Sequence, residues 1–245
     1  MKQEDESVKR SRDIDALRAA MQREGCLVCL VLLEDMQQVM DSWQYEGFTE
    51  VDHRHELIRI RGFCPLHTWQ LAQLGTGFQL AVIYSETLPE ILAALQRDAA
   101  QQQGAPGSSS FGGLWSRLSH HSAPTYAQPA FDSCPFCISR ANIEARLIST
   151  FVEQLQAEEM RTLFSQSIGL CLSHFTQARA EAERNQPARL GSLLECQQAC
   201  MQRLLAEIQE LLRKHDYRFA DEARGEEMMS WRRAAELFAS HPGIY

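Results

Sequence analysis

The sequence predicts an all-α fold: two pseudo-repeated helical units, each stapled by a Cys3His metal site, followed by a C-terminal helix. Three observations lead there. Gly and Pro number only 13 and 8 among 245 residues, while Ala, Leu, Glu, Gln and Arg dominate, a balance that favours helix. Apolar residues recur at three- and four-residue spacing, and no stretch sustains the period-two alternation of a strand. A cysteine–histidine pattern occurs twice at nearly the same spacing.

That pattern sets the organisation. Gly25-Cys26-Leu27-Val28-Cys29 is followed, after 34 intervening residues, by Cys64-Pro65-Leu66-His67, and Cys134-Pro135-Phe136-Cys137 is followed, after 33, by Cys171-Leu172-Ser173-His174. Cys26 and Cys134 are 108 positions apart, His67 and His174 107. Repetition of this kind is read first because it fixes the architecture. It divides the chain into a disordered N-terminus (1–12), a first metal-binding repeat (13–100), a linker (101–130), a second repeat (131–214) and a C-terminal clasp helix (215–245).

The elements follow in order. Between the first ligand pairs, Leu32, Leu33, Met36, Val39, Met40 and Trp43 recur at helical spacing; Ile143, Leu147, Ile148, Phe151, Val152 and Leu155 do so in the second copy. Each copy then has a shorter charged helix, near 52–61 and 158–167, ended by Gly62 or Gly169, since glycine takes the left-handed conformation that closes a helix. The C-x-x-H motif opens the next helix. Leu80, Tyr84, Ile91, Leu92 and Leu95 mark a long helix broken or kinked at Pro89. The Gln-, Gly-, Ser- and Pro-rich linker carries Leu114, Trp115 and Leu118, expected as a short docked turn, and the solvated pair His120-His121. Leu190, Leu193, Leu194, Leu204, Leu205, Ile208, Leu211 and Leu212 form a continuous stripe on the last helix of the second copy, and Met228, Trp231, Ala235 and Phe238 the apolar face of a terminal one.

Zinc takes four ligands in a tetrahedron, and thiolate and imidazole suit it. A Cys-x-x-Cys turn converges two sulfurs; Cys and His three apart on a first helical turn close the other half. Helix N-termini favour the negative charge of thiolates. The expected ligand sets are Cys26, Cys29, Cys64 and His67 for one Zn2+, and Cys134, Cys137, Cys171 and His174 for a second. Every position is filled by protein, the signature of a structural site. An iron–sulfur cluster is the rival cofactor, because Cys3His can also hold one. Cys196 and Cys200, four apart on an apolar stripe, read as core packing. His53 and His55 lie on a charged helix without a recognisable partner.

The formal net charge of −8 argues against nucleic acid, whose phosphates reward a basic face. The N-terminus has no apolar core of a secretory signal. The longest apolar run, residues 27–33, falls short of the roughly 20 residues of a membrane span. A cytoplasmic, reducing location is therefore expected, in which eight cysteines favour metal over disulfides.

The motif Gly62-Phe63-Cys64-Pro65, His67 and Trp69, with Tyr217-Arg218-Phe219, Gly225-Glu226 and Trp231-Arg232 near the end, resembles an uncharacterised bacterial family of helical proteins with duplicated cysteine–histidine motifs. The resemblance covers residues 13–240 apart from the linker. The second copy departs, with Leu172 for proline and Phe175 directly after the histidine. The resemblance implies the fold and the metal, and assigns no activity. No nucleophile elbow, phosphate-binding loop or H-E-x-x-H motif is present. The leading expectation is a zinc-binding helical scaffold or binding module for a protein or small-molecule partner. A thiol redox switch or iron–sulfur protein is the alternative. An enzyme with a pocket near the C-terminal segment is third. Tyr217, Arg218, Glu226, Trp231 and Arg232 are candidate ligand or partner contacts, weighed against an ion-paired clasp.

Overall fold

The computed structural model describes residues 2–103, 133–219 and 221–244, with side chains from residue 7 and none at 101–103. Ten α-helices make up most of them, and no strand occurs among the described residues. The helices are α1 (Lys2–Ala20), α2 (Leu27–Ser42), α3 (Val51–Ile60), α4 (Pro65–Gln73), α5 (Gly77–Gln103), α6 (Pro135–Gln154), α7 (Glu158–Gln166), α8 (Leu172–Asn185), α9 (Pro187–Lys214) and α10 (Ser230–Ala239). Residues 1–12, expected without structure, are helical from Lys2. Their charges act as tethers: Arg10 pairs with Glu153, and Arg12 reaches Asp35 at 2.7 Å. The linker begins later than expected, because α5 continues to Gln103; the remainder, with Leu114, Trp115, Leu118, His120 and His121, lies outside the described residues.

The chain forms two compact units, residues 1–37 with 140–245, and residues 38–139. These are not the sequential repeats 13–100 and 131–214: the divisions fall inside α2 and α6.

In the first unit α7, α8 and α10 all pack on α9. Phe151, Met160, Phe164, Leu147 and Leu193 are fully buried, and the Phe151 and Phe164 rings meet edge to face at 4.8 Å. Ala178 and Ala182, buried on α8, leave room for the close approach of α9. Only part of the predicted α9 stripe is used: Leu193, Leu204 and Leu211 are buried, whereas Leu194, Leu205 and Leu212 stay exposed. Cys196 and Cys200 are core residues, as their spacing suggested; their thiols donate to the Arg161 and Phe164 carbonyls at 3.7 and 3.1 Å. Gly169 (φ 88°) lies so close to α9 that a Cβ there would sit 3.0 Å from Cys200 Cβ. It does not itself close α7, which stops at Gln166 with an extended Ser167.

One buried ion cluster ties this unit together. Asp13 is 1% exposed and pairs with Arg146, which also reaches Asp35 at 3.1 Å. These groups join α1, α2 and α6.

The second unit is organised by rings. A π-helical turn, Trp43–Gly47, continues α2, and Trp43 packs on Phe63 and Phe136 with centroids 5.7 and 5.2 Å away. His53 stacks on Trp43 at 5.1 Å, so it has the partner that its sequence context concealed. Helix α3 closes on Arg61, not on the expected Gly62: Arg61 is left-handed (φ 67°), Gly62 follows at φ 95°, and Gly62 N–H donates to Leu57 O at 2.7 Å. Helix α5 runs unbroken through Pro89, whose missing N–H costs a single hydrogen bond on an exposed face. Leu80, Ile83 and Ala94 are buried, whereas Leu92 and Leu95 are exposed. Residues 77–100 have the length and composition to cross a membrane, by those two measures alone, with an 18-residue window of mean hydropathy 1.2. Here α5 packs against α3 and α4, and its Glu86 pairs with Arg54 at 3.7 Å.

Removing one side of a buried ion pair leaves a desolvated charge behind. Arg146→Ala is expected to lower unfolding free energy by about 3 kcal/mol, measured by urea titration; a change near zero would contradict this account of the first unit.

Candidate metal centres

Four short motifs fold in the same way. Cys26, Cys64, Cys134 and Cys171 each stand immediately before a helix, at the head of α2, α4, α6 and α8. Each carbonyl accepts the first helical hydrogen bond, from Leu30, Thr68, Ile138 and Phe175 N–H at 3.0, 2.9, 3.0 and 2.8 Å. Three residues on, Cys29, His67, Cys137 and His174 lie on the same first turn, so each motif presents two ligands to one side. The second copy's departure from proline changes nothing: Cys64 has φ −62°, ψ 161° and Cys171 φ −65°, ψ 160°. Proline at the first helical position lacks only an N–H that the helix does not use.

All eight expected ligands come together in two buried clusters, with their partners exchanged. Centre A consists of Cys26, Cys29, Cys171 and His174; centre B of Cys64, His67, Cys134 and Cys137. The expected sets, Cys26, Cys29, Cys64 and His67 and then Cys134, Cys137, Cys171 and His174, are not formed. Each C-x-x-H meets the C-x-x-C of the other copy.

The geometry fits one ion per centre. In centre A, His174 Nδ1 lies 3.4, 3.3 and 3.2 Å from the Sγ atoms of Cys26, Cys29 and Cys171, and the last two sulfurs are 3.8 Å apart. In centre B, His67 Nδ1 lies 3.1, 3.6 and 3.4 Å from Cys64, Cys134 and Cys137, and Cys64 and Cys137 sulfurs are 3.6 Å apart. A tetrahedral ion with bonds of about 2.3 Å to sulfur and 2.0–2.1 Å to nitrogen needs edges of about 3.8 and 3.5 Å. The residues therefore fit a metal ion, and all eight cysteines are free thiols.

The surroundings differ. In centre A, His174 Nε2 is 2.9 Å from Glu144 Oε1, and Gln177 donates to the same oxygen at 2.6 Å. A carboxylate there fixes the ring and makes the ligating nitrogen more basic. Ser240 Oγ donates to Cys171 Sγ at 3.3 Å. The buried Gln197 exchanges two 2.9 Å hydrogen bonds with the Leu170 backbone and so fixes the approach to Cys171. Sequence reasoning missed all four, Glu144, Gln177, Ser240 and Gln197, because nothing in their spacing sets them apart. Centre B is walled by rings instead, with His67 and Phe63 centroids 5.5 and 5.0 Å from Phe136.

Burial raises the Cys26 thiol pKa, reinforced by Cys171 and Cys29. Cys134 and Cys137 rise for the same first reason. Cys171 is the exception: hydrogen bonds from Cys26 and Cys29, ahead of His174, hold it well below the usual thiol range. For His174 burial pulls downward, but hydrogen bonds with Cys171, Cys29 and Glu144 outweigh it and push the group up to about 12. The surroundings thus favour the protonated forms of Cys26 and His174 and the thiolate of Cys171.

The C-terminal candidates do not converge. Tyr217 and Trp231 are exposed. Arg218 pairs with its neighbour Asp216 at 2.6 Å and Arg232 with Glu236 at 3.6 Å. Glu226 alone lines the open groove of about 420 Å3 near Met21, Arg203 and Arg233. Next to it, Lys214 holds the Glu227 carboxyl down at about 2, the reverse of a general acid. The ion-paired clasp is the better description: Lys214 meets Glu227 at 2.8 Å and Arg233 meets Glu207 at 2.5 Å, tying the tail to α9. Helix α10 forms as expected but on another face, burying Leu237 and leaving Trp231 and Phe238 exposed.

The chain belongs to a family of unknown function, DUF6062, whose family model matches residues 11–241 and so takes in both centres and α10. No curated protein and no solved structure matches it.

The exchanged pairing has a direct test in metal stoichiometry. Cys26→Ser combined with Cys171→Ser damages one centre and is expected to cost one of two ions. Cys26→Ser combined with Cys64→Ser damages both and is expected to cost two. The opposite pattern would restore the sequential pairing.

Proposed function

We propose that this protein is a helical scaffold or binding module held together by two structural zinc ions, one in each centre. The observation that carries the reading is a closed, buried set of four ligands whose separations match the edges of a zinc tetrahedron. Three thiolates, an imidazole and Zn2+ leave a net charge of about −1. Two helix N-termini at each centre favour that charge. With four protein ligands, no position remains for substrate or water, which favours a structural over a catalytic ion. The narrow spacing also favours one ion over an iron–sulfur cluster, whose several metal atoms push their ligands further apart. The near-identical backbone at Cys64 and Cys171 supports an origin by internal duplication, and eight unpaired cysteines support a reducing compartment such as the cytoplasm. For the binding half of the reading, exposed Trp69, Phe78, Trp231 and Phe238 offer contacts of the kind that protein partners use.

Elemental analysis of anaerobically purified protein is expected to give two zinc ions per chain and a colourless solution. A brown protein with iron and sulfide that bleaches on reduction would overturn the assignment. The pH dependence follows from the raised groups. Cys26 and His174 keep their protons at neutral pH without an ion, and coordination must expel them, so zinc affinity rises with pH. Chelator competition between about pH 6 and 8 is expected to show a gain of about tenfold or more per unit, one proton or more per ion. A flat profile would contradict it.

A further inference from the structure

The chain turns sharply after α10. Ser240 follows the last helical residue with φ 65° and ψ 179°, a region that is essentially reserved for glycine. The residue is 6% exposed, and its hydroxyl points at Cys171 Sγ, 3.3 Å away. Residues 240–244 then lie down on the first unit. Ile244 is 2% exposed and its carbonyl accepts from Arg140 Nη1 at 3.2 Å, while Gly243 passes over Leu33 on α2. One turn earlier, Glu236 packs over Gly25, the residue before Cys26. The C-terminal segment therefore touches both motifs of centre A.

A backbone in this conformation asks for glycine, and the chain has serine. The side chain must repay the strain, and the contact it makes is with a metal ligand. A hydroxyl donated to a thiolate is a charge-assisted hydrogen bond, stronger than one between neutral groups, and partners of this kind hold ligands in place around an ion.

We propose that Ser240 is a positioning residue for centre A, and that docking of residues 240–244 and metal occupancy of that centre are thermodynamically linked. The inference rests on the two-zinc reading above. Linkage makes the effect reciprocal: whatever the docked segment adds to metal affinity, the metal adds to docking. Centre B has no such strap among the described residues and serves as the internal reference.

The test uses the full chain loaded with zinc, with release to a chelator as the readout. Ser240→Ala removes the hydroxyl and keeps the strain; Ser240→Gly removes both. In each variant one ion of the two is expected to leave about 10–100-fold faster, the range for lost outer partners of metal ligands, and the other at the wild-type rate. Ser240→Gly should do this while its melting temperature holds or rises. A merely structural serine cannot produce that opposition of signs. In the wild type, amide hydrogen exchange at residues 240–244 should quicken when zinc is stripped. Unchanged release in Ser240→Gly, equal acceleration of both ions, or exchange indifferent to zinc would each overturn the inference. A wild-type chain that takes up fewer than two zinc ions would sink the underlying reading before any variant is made, so the two failures are distinguishable.

Discussion

The fold depends on one local arrangement used four times: a cysteine at the cap of a helix and a second ligand three residues later. A first helical turn is rigid, so the two ligands of each motif arrive already spaced and aimed. Two such turns complete a tetrahedron without help from a loop. The same arrangement sets two positive helix ends against each group of thiolates. Ligand direction and charge balance thus come from a single feature of the backbone.

Exchange of partners between the copies gives the chain a nested topology. Centre B joins residues as far apart as Cys64 and Cys137, 73 positions, and lies wholly within the span closed by Cys29 and Cys171, 142 positions apart. Loop-closure entropy grows only with the logarithm of length, so the doubled span of centre A costs roughly 0.6 kcal/mol more. The longer closure carries little thermodynamic penalty, and the gain is large: α2 and α8, from opposite halves of the sequence, meet at one cluster of side chains. Sequential pairing would have left each half stapled only to itself.

The sequence displayed the chemistry more clearly than the topology. The eight residues of the two clusters could be read, as could the helix that each C-x-x-H opens, because C-x-x-C and C-x-x-H are local patterns with local geometry; that each C-x-x-C, read as a turn, also heads a helix emerged only in the structure. Pairing is non-local: the partners lie 142 and 73 positions apart, as Cys29 and Cys171 or Cys64 and Cys137 do, and no local pattern says which distant motif a given one will meet. Faces were misread wherever charge took over from apolar contact. On α10 the apolar stripe of Trp231 and Phe238 stays outside because Arg233, reaching Glu207, decides which side meets α9. On α1 the charges that suggested a loose tail are ion-pair partners of Asp35 and Glu153. Glu144, Gln197 and Ser240 were illegible for a simpler reason: each acts through one contact with a residue far away in sequence.

The two centres share a ligand set and differ in what surrounds it, and the difference follows from position within each unit. Centre B lies beside the rings of Trp43, Phe63 and Phe136, which exclude water by bulk and ask little of hydrogen bonding. Centre A has polar neighbours: a buried carboxylate on its histidine, a serine hydroxyl on one sulfur, and a glutamine clamped to the backbone before Cys171. Polar shells are directional, so they restrain ligands more closely, and each partner is a point at which the restraint can be released. Among the described residues, only A of the two centres has such a point on the chain's C-terminal segment. A cluster walled by rings is simply enclosed; a cluster with a strained serine on one of its sulfurs is in direct contact with the segment that carries that serine.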